Sequence, residues 1–389
     1  NEEDARWAET VGQAFADAGD GEDITALPDA AVAAALDAAG VRGERADIVI
    51  DPPIAYGSPP TTGYSDDPVN TGTGGFLENE EDLGFAGAGW SLAWTRSYQS
   101  LNAAEGAFGR GWSSWAEAGL TFDDTAARLR LSDGRVVVFP RAGAGWERAT
   151  GESLWLERAE EAGRADVVEG GYVVTSSWGL EWLIDAAGRV VGTSAGEGSG
   201  VTLVWEGGRL VRMAHERGRF VDLEWDGARI TAAQASDGRR VVYSYDEAGR
   251  LVGADRPVGA RAYRWDGAGL LAEVVDADGV VEVSNTFDAT GRVTGQRSPL
   301  GRVTRYAYLA GRVTVTSDED GSRGNTWIHD RRGRLVGIVD AEGRRQSMSY
   351  DRWGNKVLVR TRDGQVTACA YDERGRMVLR RLPSGVRQA

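Results

Sequence analysis

An aromatic residue followed by aspartate returns about every 21 residues along the second half of this chain, each time with a glycine turn close behind it. The copies begin with Tyr245-Asp246 and Gly249-Arg250-Leu251, Trp265-Asp266 and Gly269-Leu270-Leu271, and Phe287-Asp288 and Gly291-Arg292-Val293. Tyr308-Leu309 with Gly311-Arg312-Val313 follows, then His329-Asp330 with Gly333-Arg334-Leu335. Tyr350-Asp351 with Gly354-Asn355-Lys356 and Tyr371-Asp372 with Gly375-Arg376-Met377 complete the series. The aspartate slots therefore step by 20, 22, 21, 21, 21 and 21 residues. A period in this range means a stacked array in which each unit buries its faces only against its neighbours.

A second glycine turn lies inside each unit, at Asp237-Gly238, Val258-Gly259, Asp278-Gly279, Leu300-Gly301, Asp320-Gly321, Glu342-Gly343, Asp363-Gly364 and Ser384-Gly385. One unit is thus turn, strand, turn, strand. Segments such as 239–245 and 302–308 alternate at period two and are rich in β-branched and aromatic residues. The slot aspartate is expected to accept N–H bonds within its own turn, and the slot rings to form a ladder across successive strands. Weaker copies at Ile184-Asp185, Trp205-Glu206 and Trp225-Asp226 carry the phase upstream. The array is read as residues 176–389. It stops mid-pattern at Ala389 and the chain starts at Asn1, so the expectation is a piece of something longer.

Ahead of the array the composition shifts. Residues 1–100 hold 19 acidic residues and 4 arginines, while the remaining 289 hold 40 of each sign. Such an acidic segment argues against nonspecific nucleic-acid binding. Residues 1–50 read as a short acidic α-helical segment, a plug or linker, with helices at 3–18 (Trp7, Val11 and Phe15 on one face) and 28–39. Residues 51–68, with prolines at 52, 53, 59, 60 and 68, read as an extended linker. Residues 69–175 read as a β-rich lead-in domain that starts the strip. No apolar run is long enough for a transmembrane helix.

Chemical motifs are sparse. Gly192-Thr193-Ser194-Ala195-Gly196 matches a nucleophile elbow, but the following Glu197-Gly198-Ser199-Gly200 cannot open the helix that chemistry needs. Only His215 and His329 exist, and His329 fills an aromatic slot. Acidic turns at Asp276-Asp278 and Asp318-Asp320 lack the rest of a calcium loop. Cys369 is alone and reads as a small apolar strand residue. No catalytic, cofactor-binding or metal residue is assigned.

The repeat resembles the YD repeat of the Rhs proteins, and the resemblance extends upstream. Asp67-Pro68-Val69-Asn70-Thr71-Gly72-Thr73-Gly74 looks like their DPVNxxTG opening, and Thr95-Arg96-Ser97-Tyr98-Gln99-Ser100 like their TRxYxS strand. Gly106-Ala107-Phe108-Gly109-Arg110-Gly111-Trp112-Ser113-Ser114 looks like their GxFGxGWxS turn. The resemblance implies an all-β fold in which the strip of hairpins curls into a hollow, β-solenoid-like shell. It also implies a function, the encapsulation of a C-terminal toxin domain of the same polypeptide in a bacterial polymorphic toxin. Implied partners are that domain, a secretion apparatus and a chaperone or immunity protein, with assembly in the cytoplasm before export to the surface or medium. The autoprotease motif that ends many such shells has no counterpart after residue 372, so no enzyme is expected in this chain. The alternatives are a surface adhesin or glycan-binding module and a hydrolase built on Ser194.

Overall fold

The computed structural model describes residues 57–85 and 92–388. The helices expected within 1–50 lie outside the described residues, as does the first part of the proline-rich stretch. Among the described residues there is no α-helix, only a 3-10 turn at Trp115–Glu117.

Period-two patterning becomes strands with one buried face. In Arg240–Tyr245, Val241 and Tyr243 are buried while Arg240 and Val242 are exposed. In Val303–Leu309, Thr304, Tyr306 and Tyr308 turn inward and Arg305 and Ala307 outward. Twenty-three such strands, from Leu154–Arg158 to Arg387–Gln388, form one antiparallel sheet in strict sequence order. The sheet starts two strands before residue 176. Leu154–Arg158 and Tyr172–Ser176 pair with each other across a long connection without a slot turn, so the period does not reveal them.

Slot turns with aspartate at 185, 246, 266, 288, 330, 351 and 372 are built the same way, whereas Glu206 and Asp226 close on two-residue loops that pair them with Arg209 and Arg229. The Asp288 carbonyl accepts the Gly291 N–H, the Asp288 N–H donates to the Arg292 carbonyl, and Gly291 takes a positive φ of 86°. A tight turn closed by a left-handed glycine leaves one extra residue, a β-bulge. The register accordingly shifts at Tyr245, Trp265, Phe287, His329, Tyr350 and Tyr371. The Asp288 carboxylate then accepts the Thr290 N–H, the Arg292 N–H and Arg292 Nε. Leu309 has no carboxylate to offer. Its hairpin pairs without a bulge, and Arg312 is forced to a φ of 62°.

Pairing is complete within hairpins and partial between most of them, the junction of Val313–Asp318 with Gly324–His329 being the fully paired exception. Leu251–Asp255 meets the next hairpin only through Gly253↔Ala262 and Ala254↔Arg261, so the strands splay apart toward the slot turns. The slot side chain bridges that gap. Trp205, Trp225 and Trp265 donate Nε1 to the carbonyls of Val190, Leu210 and Leu251 at 2.8–2.9 Å. Tyr245 and Tyr308 donate their hydroxyls to Ile230 and Val293 at 2.6 and 2.5 Å. The expected ladder of rings is therefore a ladder of ring-to-backbone bonds, because the splay separates the rings of successive units.

The strip has two rims, the first made of slot turns and the second of the alternate turns. After nineteen strands the sheet comes back to its start. Slot turns 351–354 and 372–375 lie against residues 148–153, just before the first strand. At about 4.8 Å per strand this circuit is about 90 Å around, a ring about 30 Å across. The lead-in domain covers its inner face, and one apolar core runs from Val69 in that domain to Tyr308 in the repeats. Strands from Lys356 onward are half-exposed or exposed.

Asp288→Ala removes the acceptor for four turn donors, the Thr290 N–H and hydroxyl and the Arg292 N–H and Nε. It should cost about 1–2 kcal/mol and speed amide exchange locally at 288–293, read by urea unfolding and hydrogen-exchange mass spectrometry.

Candidate functional site

Two of the three segments singled out by their motifs, 67–74 and 106–114, meet the first rim through their backbones. Asn70 is fully buried, and its side-chain carbonyl accepts the Gly72 and Thr73 N–H groups at 2.9 and 3.1 Å. That loop presents its backbone to the sheet: the Val293 N–H donates to the Gly74 carbonyl, and Thr314 Oγ1 donates to the Thr71 carbonyl at 2.6 Å. Gly74 has a φ of 81°, and a Cβ there would stand 2.7 Å from the Tyr308 ring, so only glycine fits. His329 bridges the Thr71 hydroxyl at 3.0 Å and the Arg312 carbonyl at 3.1 Å. It thus does with two ring nitrogens what a slot tyrosine does with one hydroxyl.

In the second segment the Ile230 N–H donates to the Ala107 carbonyl. Glu117 fastens the loop from within by accepting the N–H groups of Ala107 and Ser114 at 2.6 and 2.7 Å. Gly109, with a φ of 94°, lets the backbone approach Gly249. Leu120 continues the line by donating its N–H to the Gly188 carbonyl.

Between these contacts lies a buried ionic knot that motif reading missed. Strand Leu77–Phe85 turns Glu78, Glu80 and Asp82 to one face, and its partner strand Leu92–Gln99 adds Arg96 opposite Glu80. The Arg96 side chain is wholly buried and grips Asp82 with Nε and Nη2 at 2.7 and 3.1 Å. Four rings surround the guanidinium, those of Trp112, Tyr263, Tyr243 and Phe108, at 4.7–5.8 Å. Tyr243 and Tyr263 come from the repeats, and their hydroxyls donate to Asp82 and Glu80 at 2.7 and 2.9 Å. Arg256 and Arg261, also from the repeats, pair with Glu80 at 2.6 and 3.1 Å. Burial opposes the charge on Arg96, but the adjacent Asp82 more than offsets it and the guanidinium stays charged. Burial, with Glu80 beside it, pushes the Glu78 carboxyl up to about 8. The only signals for this knot were three acids at alternate positions and a single arginine in an otherwise uncharged strand.

The other sequence candidates are dispersed. Ser194 ends a strand, and its hydroxyl bonds the Gly196 backbone. His215 accepts the Arg217 N–H, and His329 is engaged with Thr71 and Arg312, far along the strip. Asp276 and Asp320 accept N–H bonds from their own turns. Cys369 is half-buried in Val366–Tyr371. Among the described residues, no group of His, Cys, Asp or Glu converges as metal ligands, and no helix is long and apolar enough to cross a membrane.

Two families match this chain. Residues 185–384 match one described as Teneurin YD-shell, and residues 66–139 match a domain of unknown function, DUF6531. The tRNA nuclease WapA of Bacillus subtilis (strain 168) is 34% identical over 95 residues, 24% of this chain and 4% of that protein. The tRNA3(Ser)-specific nuclease WapA of Bacillus spizizenii aligns to the same extent. Among solved structures, a TcdB2-TccC3-Cdc42 complex matches at 12% identity and a TM-score of 0.37, over 66% of this chain and 15% of that one. A Tc holotoxin pore from Photorhabdus luminescens matches at 12% identity and 0.36, over 67% and 19%. The chain thus spans a small fraction of the relatives it matches.

Removing one partner of the knot leaves a buried charge alone. Asp82→Ala and Arg96→Ala should each cost about 3–5 kcal/mol, and the double variant clearly less than their sum, as a urea double-mutant cycle would show. The folded protein also keeps a Glu78 proton that the unfolded chain sheds near 4.5. Stability from this group is complete below that value and is lost as pH rises toward about 8. Glu78→Gln should flatten this decline in melting temperature across the window.

Proposed function

The chain belongs to the Teneurin YD-shell family, and we propose that it builds the first circuit of a wall enclosing a toxin domain of the same polypeptide. One observation carries this reading: turns 351–354 and 372–375 return onto residues 148–153, closing a ring whose first rim is held by the lead-in domain. A strip that returns onto its own start separates an inside from an outside, and the lead-in domain at the first rim gives it a floor. The partial likeness to WapA nucleases supports a toxin as the cargo.

In this reading the chain itself does no chemistry. The wall, with the lead-in domain packed on its inner face, excludes solvent and other macromolecules from the cargo, and its outward arginines and acids keep the wall hydrated. It assembles in the cytoplasm and is exported to the cell surface or medium through a secretion apparatus, with a chaperone or immunity protein as further partners. It takes no cofactor and no nucleic acid, and residues 69–175 serve as the lead-in domain of a polymorphic toxin of the Rhs type.

The test is protease protection. A toxin domain carried in the same polypeptide should resist trypsin while the wall is intact. It should become cleavable when Asp82→Ala unseats the lead-in domain. Equal cleavage rates in both forms would sink the proposal.

A further inference from the structure

The ring closes on a seam with two visible rungs. In the first, the Gly354 turn lies directly on the Gly151 backbone, and Ser153 Oγ bonds Asn355 Oδ1 at 3.1 Å. In the second, the Gly375 turn lies on Ser153 and Arg148, where a Cβ would meet Ser153 Oγ at 2.6 Å and Arg148 Nη2 at 2.8 Å. The seam therefore joins slot turns of the late strands to the opposite rim of the earliest strands. A strip that closes this way climbs by its own width as it goes round.

Cation and aromatic groups hold the seam. Arg148 is buried between Trp155, from the first strand, and Trp353, from the late turn, at 5.0 and 5.2 Å from the two rings. It also reaches Asn355 Oδ1 at 3.4 Å. Asn355 stands where most units carry arginine, and its Nδ2 donates to Asp351 at 2.8 Å as that arginine would. The guanidinium of this rung comes from the lower side.

Slot turns follow one another every two strands, about 10 Å apart, and so do the turns of the second rim. The position after Ser153 is fixed by the Ser177 N–H, which donates to the Ser153 carbonyl at 3.0 Å. It is the turn 176–179, and Trp178 at its tip is 89% exposed. This turn carries no cation of its own.

We propose that the turn Ser176–Gly179 is the third rung: a docking surface for another turn of the Asp-x-x-Gly-Arg type, whose arginine lies over the Trp178 ring. The occupant is a further repeat unit joined in series to the last strands of the sheet. Continuity with the two rungs already made identifies it, and the exposed indole supplies the face that Trp155 and Trp353 supply to Arg148. The inference concerns how the wall grows and does not depend on what it encloses.

The experiment extends the full chain by one unit. Ala389 stands four residues after Gly385, as Ala368 stands after Gly364, so a copy of residues 369–388 fused after Ala389 keeps the phase. Hydroxyl-radical footprinting with mass spectrometry then reads Trp178 directly. Its oxidation should fall several-fold in the extended chain, while Leu300, exposed on the same rim beyond the seam, stays unchanged. In the extended chain, Trp178→Ala should speed amide exchange in the added strands several-fold. Equal Trp178 oxidation in the two chains overturns the proposal. So do added strands that exchange like free peptide, or that ignore Trp178→Ala. A docked unit with an unprotected toxin would leave this inference standing and remove the enclosure reading.

Discussion

Backbone carbonyls left over at the first rim set the terms for everything else in this fold. Hairpins pair fully within themselves but most splay from one another, so the residue after a slot turn such as Leu210, Leu251 or Val293 faces its neighbour without a ladder partner. A buried carbonyl without a donor costs about 1–3 kcal/mol. The repeat meets this with a long donor-tipped ring, and an aliphatic side chain in the slot would fill the gap but leave the carbonyl bare. Tryptophan and tyrosine have both the reach and the N–H or O–H. The wedge of the splay and the ring that fills it are one device, and repeating it around the strip gives curvature with constant pairing.

Curvature by itself leaves an apolar inner face in water. The lead-in domain answers that by presenting backbone to the rim and charge to the interior. Its loops offer carbonyls at Thr71, Gly74 and Ala107 to donors of the sheet. Deeper in, the Arg96 knot joins strands nearly 170 residues apart, with every carboxylate answered by arginine or tyrosine except Glu78, which keeps its proton. Such a knot adds little net stability over a well-packed apolar contact. What it adds is register, because the paired charges tolerate one seating of the lead-in domain on the repeats.

Local chemistry was legible in the sequence and long-range closure was not. The period, the alternating strands and the aspartate turns follow from rules that span a few residues, and Asp288 behaves as its spacing implied. The first strands of the sheet escaped notice because Leu154–Arg158 and Tyr172–Ser176 are joined by a long connection that carries no phase. The knot escaped because its members, Glu80, Asp82, Arg96, Tyr243 and Tyr263, are individually ordinary and meet only when the sheet has curled. Segments 67–74 and 106–114 were picked out by likeness alone. The physical reason for their glycines, a positive φ at Gly74 and Gly109 under close backbone approach, needs the partner surface to be seen.

Departures from the repeat's own pattern turn out to mark those partner surfaces. Leu309, the slot without a carboxylate, belongs to the unit whose Tyr308 packs on Gly74 and whose strand offers Thr314 to Thr71. His329, the slot without a large ring, uses its second nitrogen on Thr71. Phe287, the slot without a polar tip, sits where Tyr98 and Ser100 of the lead-in domain crowd the rim, with the Tyr98 hydroxyl accepting the Leu271 N–H. Asn355, at one of the two aspartate turns without an arginine (Leu270 stands in the other), makes room for Arg148. A unit that touches only its neighbours is held to the full pattern, because every donor and acceptor must be met from within. A unit that touches another part of the chain can draw a partner from there, and its sequence is released at that position.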